Sequence, residues 1–198
     1  MTYKFETPAV FLIGPTASGK TDTAIKLAEK YPFEIISVDS AMVFKDMNIG
    51  TCKPSNKDLK RIPHHLIDII KPDTKFDVGL FVNYVELAVK KIIKNNKIPL
   101  FVGGTMMFHK VLFDGIHDFP RDENLREEIN LVKENQGYEH LLDKLKQLDP
   151  ETFQLIDIKN PRRVERALEI IKLTNTKLSL LKQEPPNTFF DSQKWSFN

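Results

Sequence analysis

The chain has 198 residues, of which 41% are hydrophobic and 28% charged, so a globally disordered protein is excluded. With 29 basic and 27 acidic side chains, its net charge is +2, which excludes nucleic-acid binding through the bulk field and leaves only a local basic patch for that purpose. The single cysteine, Cys52, excludes an internal disulfide, and the lack of a signal peptide or a long apolar run predicts a cytoplasmic protein without a membrane partner.

Short apolar runs alternate with helical patterns over residues 1–115. Such alternation is typical of a parallel sheet with right-handed crossovers, so this region is predicted to be an α/β core of sheet and flanking helices. The apolar runs predict strands at residues 9–13, 34–39, 66–70 and 99–102, and the helical patterns predict helices at residues 20–30 and 79–96.

The pattern changes after Gly115. Residues 116–158 are charged and helical in pattern, with Gly137 as a break between two helices, and predict a small inserted helical lobe. Residues 159–198 predict a helix that returns to the core, starting at Asn160-Pro161, and then the start of a further core strand at residues 194–198. A strand at the very end of the sequence suggests that the chain is truncated.

The loop at residues 14–21 (GPTASGKT) matches the phosphate-binding pattern G-x-x-x-x-G-K-[ST] at every fixed position, between a predicted strand and a predicted helix. In such a loop, backbone N–H groups and the helix start face an anion, Lys20 adds a positive charge, and the Thr21 hydroxyl is placed to join a Mg²⁺ shell. This predicts a P-loop NTPase-like fold that binds a di- or triphosphate. The residues predicted to bind it are Gly14, Pro15, Thr16, Ala17, Ser18, Gly19, Lys20 and Thr21, with Thr21 also a metal ligand.

The phosphate loop by itself does not identify the reaction. The guanine-reading pattern Asn-Lys-x-Asp is not matched by the sequence at residues 56–59, and the motifs of protein kinases are absent. A kinase for a small molecule or nucleotide therefore remains open.

Further segments resemble one family. GPTASGKT is followed in order by SVDSAMVFKDMNIGTCKP, PHHLID, LFVGGTMMF and NPRRVERALE, and together they resemble the tRNA dimethylallyltransferases, or tRNA isopentenyltransferases, from about residue 8 to residue 179. The resemblance implies transfer of a dimethylallyl group from dimethylallyl diphosphate to N6 of an adenosine next to the anticodon. The partners are then tRNA and dimethylallyl diphosphate, the cofactor is Mg²⁺, and the chain is expected to be a monomer. A non-catalytic fragment that binds tRNA or a nucleotide is a second alternative.

The same resemblance assigns roles to individual residues. Asp39 would be the base that takes a proton from the adenine amine, and Thr105 would hydrogen-bond near that amine or the bridging oxygen. From the residues alone, a magnesium ligand or a helix cap is favoured over a base for Asp39, and a helix N-cap is the interpretation of Thr105. The residues implied to contact tRNA are Asp39, Ser40, Ala41, Met42, Arg126, Arg162, Arg163, Val164, Glu165 and Arg166.

Three segments also have an interpretation that follows from the residues alone. Charge alone favours a solvated helix face for Arg162, Arg163 and Arg166, paired with Glu165 and Glu169. Neighbouring histidines on an extended segment point to opposite sides, so His64-His65 is interpreted as structural. The run Met106-Met107-Phe108 is predicted to pack in the core, with a wall for the prenyl tail as a further hypothesis.

Overall fold

The computed structural model describes residues 8–189, which fall into two compact units. One unit comprises the described residues up to Gly115 together with Thr188 and Phe189, and the other is Ile116–Asn187. The strand predicted at residues 194–198 lies outside the described residues. None of the helices between residues 8 and 189 is long and apolar enough to cross a lipid bilayer.

The first unit contains a parallel sheet of four strands, as the sequence predicts. The strands are β1 (Val10–Ile13), β2 (Phe33–Ser37), β3 (His64–His65) and β4 (Ile98–Gly103), in the order β1-β4-β2-β3. Every neighbouring pair is parallel, so the carboxyl ends of β1, β2 and β4 lie along one edge of the sheet. This edge is where open α/β sheets commonly bind ligands.

The prediction of a strand at residues 66–70 was wrong. The third strand is formed earlier, by His64 and His65, and Ile70 forms only an isolated bridge with Phe44. The physical reason is the backbone of Leu66 and Asp68, whose φ angles are 63° and 53°. Left-handed residues cannot continue an extended strand, so the chain turns away from the sheet after His65.

Four helices accompany this sheet: α1 (Lys20–Lys30), α2 (Asn56–Arg61), α3 (Val78–Lys94) and α4 (Met106–Asp114). Helix α1 packs Ala24 and Ile25 into one cluster with Ile35 and Leu100 of the sheet. Helices α3 and α4 meet through the rings of Phe81 and Phe108, which stack with centroids 4.1 Å apart. The predicted helical stripe of α3 is confirmed, since its buried residues are Phe81, Val82, Val85, Ala88, Val89 and Ile92.

The second unit is built from helices, and its described ends, Ile116 and Asn187, form an isolated antiparallel bridge. Its helices are α5 (Glu123–Gln136), α6 (Tyr138–Leu148), α7 (Pro150–Leu155), α8 (Pro161–Thr174) and α9 (Leu178–Leu181). The predicted break at Gly137 is confirmed, with φ at 84° between α5 and α6. So is the predicted helix start, because the Asn160 side chain accepts a hydrogen bond from the Arg162 N–H.

Helix α8 does not pack where the sequence analysis predicted it. That prediction ended the helical lobe at residue 158 and placed the next helix against the core of the sheet. In the structure, α8 shares a core with α5 and α6, and the unit extends to Asn187. The apolar face of α8 packs against the apolar faces of α5 and α6. The buried residues of this shared core are Leu125, Ile129, Leu141, Leu145, Val164, Ala167, Leu168, Ile170, Ile171 and Leu178.

A buried carboxylate joins the short helices of this unit. Asp149 is fully buried and accepts hydrogen bonds from the backbone N–H and hydroxyl of both Thr152 and Ser179, at 2.6 to 3.1 Å. Burial alone would raise the pKa of Asp149, but these hydrogen bonds outweigh it and lower the pKa to about 2. The ionised carboxylate is therefore part of the fold.

Replacing Asp149 with Asn is expected to destabilise the chain at pH 7 by about 2 kcal/mol, because Asn accepts at only one side-chain oxygen. A lowered pKa contributes stability above the unfolded value near 3.8, and that stability is lost as the pH falls towards 2. The gap between the unmutated chain and the variant should therefore close between about pH 4 and pH 2. Urea unfolding across this range measures it, with Asp143→Asn, an exposed acid of α6, as the matched control. A gap that stays constant with pH would contradict the assignment.

Candidate functional site

A cavity of about 610 Å³ opens at the carboxyl edge of the sheet. The cavity is bordered by the phosphate loop, by the segment after β2 and by the Gly103-Gly104-Thr105 turn at the end of β4. The predicted site residues that border the cavity are Thr16, Ala17, Ser18, Gly19, Lys20, Thr21, Asp39, Ser40, Ala41, Met42 and Thr105. Residues predicted separately for phosphate binding, catalysis and substrate contact thus meet in one place.

The phosphate loop is held open by its backbone. Gly19, with φ at 77°, is the N-cap of α1, and Ala17 also has a left-handed φ of 64°. The ammonium group of Lys20 folds back over the loop, donating to the Pro15 carbonyl and, at 3.3 Å, to the Ser18 hydroxyl. A bound phosphate would replace these acceptors with more strongly charged ones. Gly14 and Pro15 belong to the loop but do not border the cavity.

Close backbone packing requires glycine at Gly103, the last residue of β4, and at Gly104, which follows it. A Cβ atom on Gly103 would lie 2.1 Å from the carbonyl oxygen of Val38, and one on Gly104 would lie 2.9 Å from the carbonyl oxygen of Gly14. The Thr105 N–H donates to the same Val38 carbonyl at 3.3 Å. The turn therefore passes between the phosphate loop and the segment that carries Asp39, and fixes their separation.

The carboxylate of Asp39 divides its two oxygens. Oδ1 accepts hydrogen bonds from the backbone N–H groups of Ala41 at 2.8 Å and Met42 at 3.2 Å. Oδ2 receives none from residues 8–189. Asp39 is half-buried at the cavity wall. No helix begins at this turn, so Asp39 is not a helix cap. One oxygen thus stabilises the local turn, while the other remains available to a ligand.

Thr105 stands at the N-cap position of α4, as predicted, but its side chain does not cap that helix. Its Oγ1 instead accepts a hydrogen bond from the Ser40 N–H at 3.3 Å. The hydroxyl hydrogen can therefore point away from the protein backbone. This contact places the Thr105 hydroxyl beside the residue that follows Asp39.

Lys53, which sequence reasoning missed, lies directly after the cavity-lining residues Gly50, Thr51 and Cys52. Its side chain is only 4% exposed, and its ammonium group donates to the Phe44 carbonyl and to Asp68, both at 2.6 Å, and to Asn48 at 3.3 Å. A lysine among glycine, threonine and proline gives no local signal of burial. The ion pair joins segments that are distant in sequence, and it stabilises the wall at Gly50, Thr51 and Cys52.

The two adjacent histidines have separate environments. His65 contacts the buried Glu34 through Nε2 at 2.8 Å, and Asn95 donates to the same carboxylate at 3.0 Å, which confirms a structural role. His64 borders the cavity, with Nδ1 2.8 Å from the Ile62 carbonyl. Burial lowers the pKa of His64, so near neutral pH the ring is uncharged with Nδ1 as donor and Nε2 as acceptor.

The three residues after the Gly-Gly-Thr turn have different positions. Phe108 is buried, as predicted for the core. Met106 and Met107 are 63% and 56% exposed and do not border the cavity, so core packing was wrong for both and a prenyl wall finds no support there. Met42 does border the cavity, with its sulfur 3.5 Å from the Ser37 hydroxyl.

The arginines predicted to contact tRNA fall into two groups. Arg126 and Arg166 both bind Glu169, which is 1% exposed, at 3.0 and 2.6 Å. Arg166 also donates to the Phe119 and Pro120 carbonyls. Burial opposes ionisation of Glu169, but the Asp122 N–H and the two arginines outweigh it and lower the pKa. These guanidinium groups are therefore engaged within the helical unit.

The exposed arginines of the helical unit's predicted tRNA contacts lie in the first turn of α8. Arg162 and Arg163 are exposed, and the contact of Arg163 with Asp157 is long, at 3.8 Å. Glu165 pairs with Lys133 at 2.6 Å. The Val164 side chain is fully buried in the core, so it offers no surface to a partner. Of the three arginines predicted to form a basic patch on this helix, Arg162 and Arg163 are thus the exposed ones, and Arg166 is half-buried.

Comparison with known proteins adds the following similarities. A family model described as IPP transferase matches residues 42–197, and one described as isopentenyl transferase matches residues 8–70. A tRNA dimethylallyltransferase from Psychrobacter sp. (strain PRwf-1) is 42% identical over 189 residues, covering 94% of this chain and 52% of the relative. The chain thus spans about half the length of the curated relative that it matches.

Solved structures show the same similarity. A eukaryotic dimethylallyltransferase acting on tRNA aligns with a TM-score of 0.80 and 26% identity, over 94% of this chain and 47% of the other. The full-length tRNA isopentenylpyrophosphate transferase from Bacillus halodurans aligns with a TM-score of 0.55 and 38% identity, over 86% and 57%. A tRNA isopentenylpyrophosphate transferase from Staphylococcus epidermidis gives 0.53 and 34%, over 93% and 62%.

Proposed function

The chain belongs to the IPP transferase family, and from this membership we propose that it transfers a dimethylallyl group from dimethylallyl diphosphate to N6 of an adenosine next to the anticodon of tRNA. One observation carries the proposal: the phosphate loop, the Asp39 carboxylate and the Thr105 hydroxyl border a single cavity. An anion cradle beside an available carboxylate suits a reaction in which a diphosphate leaves while a proton is removed.

The phosphate loop binds the leaving group in this proposal. As the C–O bond of the donor breaks, the diphosphate keeps the bonding electrons, and its growing charge is stabilised by backbone N–H groups and Lys20. The hydrocarbon part needs an apolar neighbour. Ala24, Ile35 and Ile67 border the same cavity and supply one.

Asp39 is the proposed general base. The exocyclic amine of adenine is a poor nucleophile, because its lone pair is delocalised into the ring. As the new N6–C bond forms, one N6 proton passes to Asp39 Oδ2, the oxygen that the local turn does not use. The Thr105 hydroxyl is proposed to hydrogen-bond at the same amine or at the bridging oxygen of the donor.

Mg²⁺ is part of the proposal. Between residues 8 and 189, no three His, Cys, Asp or Glu side chains are grouped to hold a metal ion. The ion is proposed to be bound chiefly through substrate phosphates, which is common for Mg²⁺. The Thr21 hydroxyl at the cavity edge would be its protein ligand. When bound, the ion supplies positive charge to the departing diphosphate.

A direct test is mass spectrometry of tRNA after incubation with the chain, dimethylallyl diphosphate and Mg²⁺. The expected product carries one dimethylallyl group in place of one amine hydrogen, on the adenosine beside the anticodon. The kinase alternative predicts transfer from labelled ATP to a small acceptor and an unmodified tRNA. The binding-fragment alternative predicts saturable tRNA binding with neither product.

Binding to tRNA is proposed to use the exposed arginines of α8. Replacing Arg162 and Arg163 with alanine should weaken binding and lower the slope of log K against log salt by about one to two, since each phosphate contact releases counterions. Filter binding at several salt concentrations measures this slope. The variant with Lys144→Ala and Lys172→Ala removes two exposed positive charges from the same unit and serves as the control. Equal slopes for both double variants would assign Arg162 and Arg163 to a solvated surface.

A cytoplasmic location belongs to the same proposal. Its support is the single cysteine of the sequence, which is a free thiol in the structure. The monomeric state stays a prediction.

A further inference from the structure

The loop that follows Phe44 carries an unusually exposed aliphatic tip. Ile49 is 98% exposed, and Met47 on the same loop is 42% exposed. A single exposed aliphatic residue is ordinary on a protein surface. Here, however, both lie immediately before Gly50, Thr51 and Cys52, which border the cavity. The apolar tip is therefore at the margin of the proposed catalytic site.

The conformation of this loop is fixed by specific contacts. The Thr51 hydroxyl donates to the Met47 carbonyl at 2.6 Å, and the buried Lys53 donates to Asn48 at 3.3 Å. Two non-glycine residues, Asp46 and Cys52, adopt left-handed φ angles of 64° and 55°. Such backbone conformations persist only where surrounding contacts hold them. The loop therefore presents Ile49 to solvent in a defined position.

We propose that Ile49 is a wedge that packs against the tRNA base next to the target adenosine. The inference rests on the proposed function, in which that adenosine must leave the base stack to reach Asp39. Extrusion exposes the apolar faces of the neighbouring bases, and an aliphatic side chain inserted there covers them. Ile49 is thus a positioning residue, because it contacts a neighbouring base and not the reacting atoms.

The experiment uses an anticodon stem-loop RNA in which 2-aminopurine replaces the target adenosine, since this base becomes more fluorescent when it is unstacked. The unmutated chain should raise the fluorescence on binding. Ile49→Ala should reduce that rise and weaken binding about five- to tenfold, while Ile49→Leu should restore most of both. Leu87→Ala, at a residue of α3 that is 64% exposed and does not border the cavity, is the matched control and should behave as the unmutated chain.

Two further measurements separate the possible failures. Thermal unfolding should be unchanged in Ile49→Ala, because the side chain makes almost no contact with the protein. Fluorescence and affinity equal to those of the unmutated chain would overturn the wedge, even if that chain modifies unlabelled tRNA. The wedge would also be overturned if Ile49→Ala changed only the sedimentation of the protein, because Ile49 would then contact a second copy of the chain. If the unmutated chain modifies no tRNA but still raises the 2-aminopurine fluorescence, and this rise depends on Ile49, the proposed function fails and the wedge stands.

Discussion

Asp39→Asn is expected to lower the rate of prenyl transfer by a factor of about 10² to 10⁴, the range in which general bases contribute. Asn is nearly isosteric with Asp, and its side-chain oxygen can still accept from the Ala41 and Met42 N–H groups that now bind Oδ1. The turn after β2 should therefore persist. What is lost is the basic second oxygen.

Single-turnover transfer of labelled dimethylallyl groups to tRNA measures this effect, with tRNA affinity measured in parallel. Affinity should change little, because Asn retains the shape of the cavity wall. Asp114→Asn, at the exposed end of α4, removes a negative charge from a residue that does not border the cavity and controls for net charge. Turnover of Asp39→Asn close to that of the unmutated chain would remove Asp39 as the base.

Gly103→Ala should unfold or severely distort the first unit. The added Cβ would lie 2.1 Å from the Val38 carbonyl oxygen. The position of a Cβ atom is fixed by its backbone and the carbonyl is itself backbone, so neither can rotate away. Relief requires β4 to separate from the segment after β2, which breaks the hydrogen bonds Val38 N–H to Val102 O and Thr105 N–H to Val38 O. We expect a loss of about 4 kcal/mol or more, at the upper end of single substitutions.

Thermal unfolding monitored by circular dichroism tests this expectation. Gly137→Ala is the control, because Gly137 has φ at 84° but nothing within 4 Å of an added Cβ. Because Gly137 has ψ at 163°, it lies in a region of backbone conformation that is almost restricted to glycine. The control should therefore show only this conformational cost, about 1 to 3 kcal/mol. A melting temperature of Gly103→Ala similar to that of Gly137→Ala would show that the loops can separate without loss of the fold.

Much of the sheet and the phosphate loop could be predicted because their signals are local. The runs that became β1, β2 and β4 are short and apolar, and the period of α3 is written in its own residues. The position of β3 could not be predicted in this way. The run at residues 66–70 is as apolar as the others, and no local pattern reports the left-handed backbone of Leu66 and Asp68.

The residues that lie at the site could be predicted from the sequence more readily than the contacts that they make. Asp39 and Thr105 follow buried parallel strands, so the topology alone brings them to the edge where the phosphate loop lies. The burial of Lys53 against Asp68, and that of Glu169 against Arg126, depend on residues that are far apart along the chain. Arg162 and Arg166 look equivalent in the sequence, and only the fold separates an exposed cation from an engaged one.

The ion group at Glu169 has a practical consequence for handling the protein. Mobile ions screen charges in water far more effectively than charges withdrawn from it. The contacts of Glu169 with Arg126 and Arg166 should therefore survive concentrated sodium chloride, whereas an association with RNA through Arg162 and Arg163 should dissociate. A concentrated salt wash during purification should accordingly strip bound nucleic acid and leave the helical unit intact.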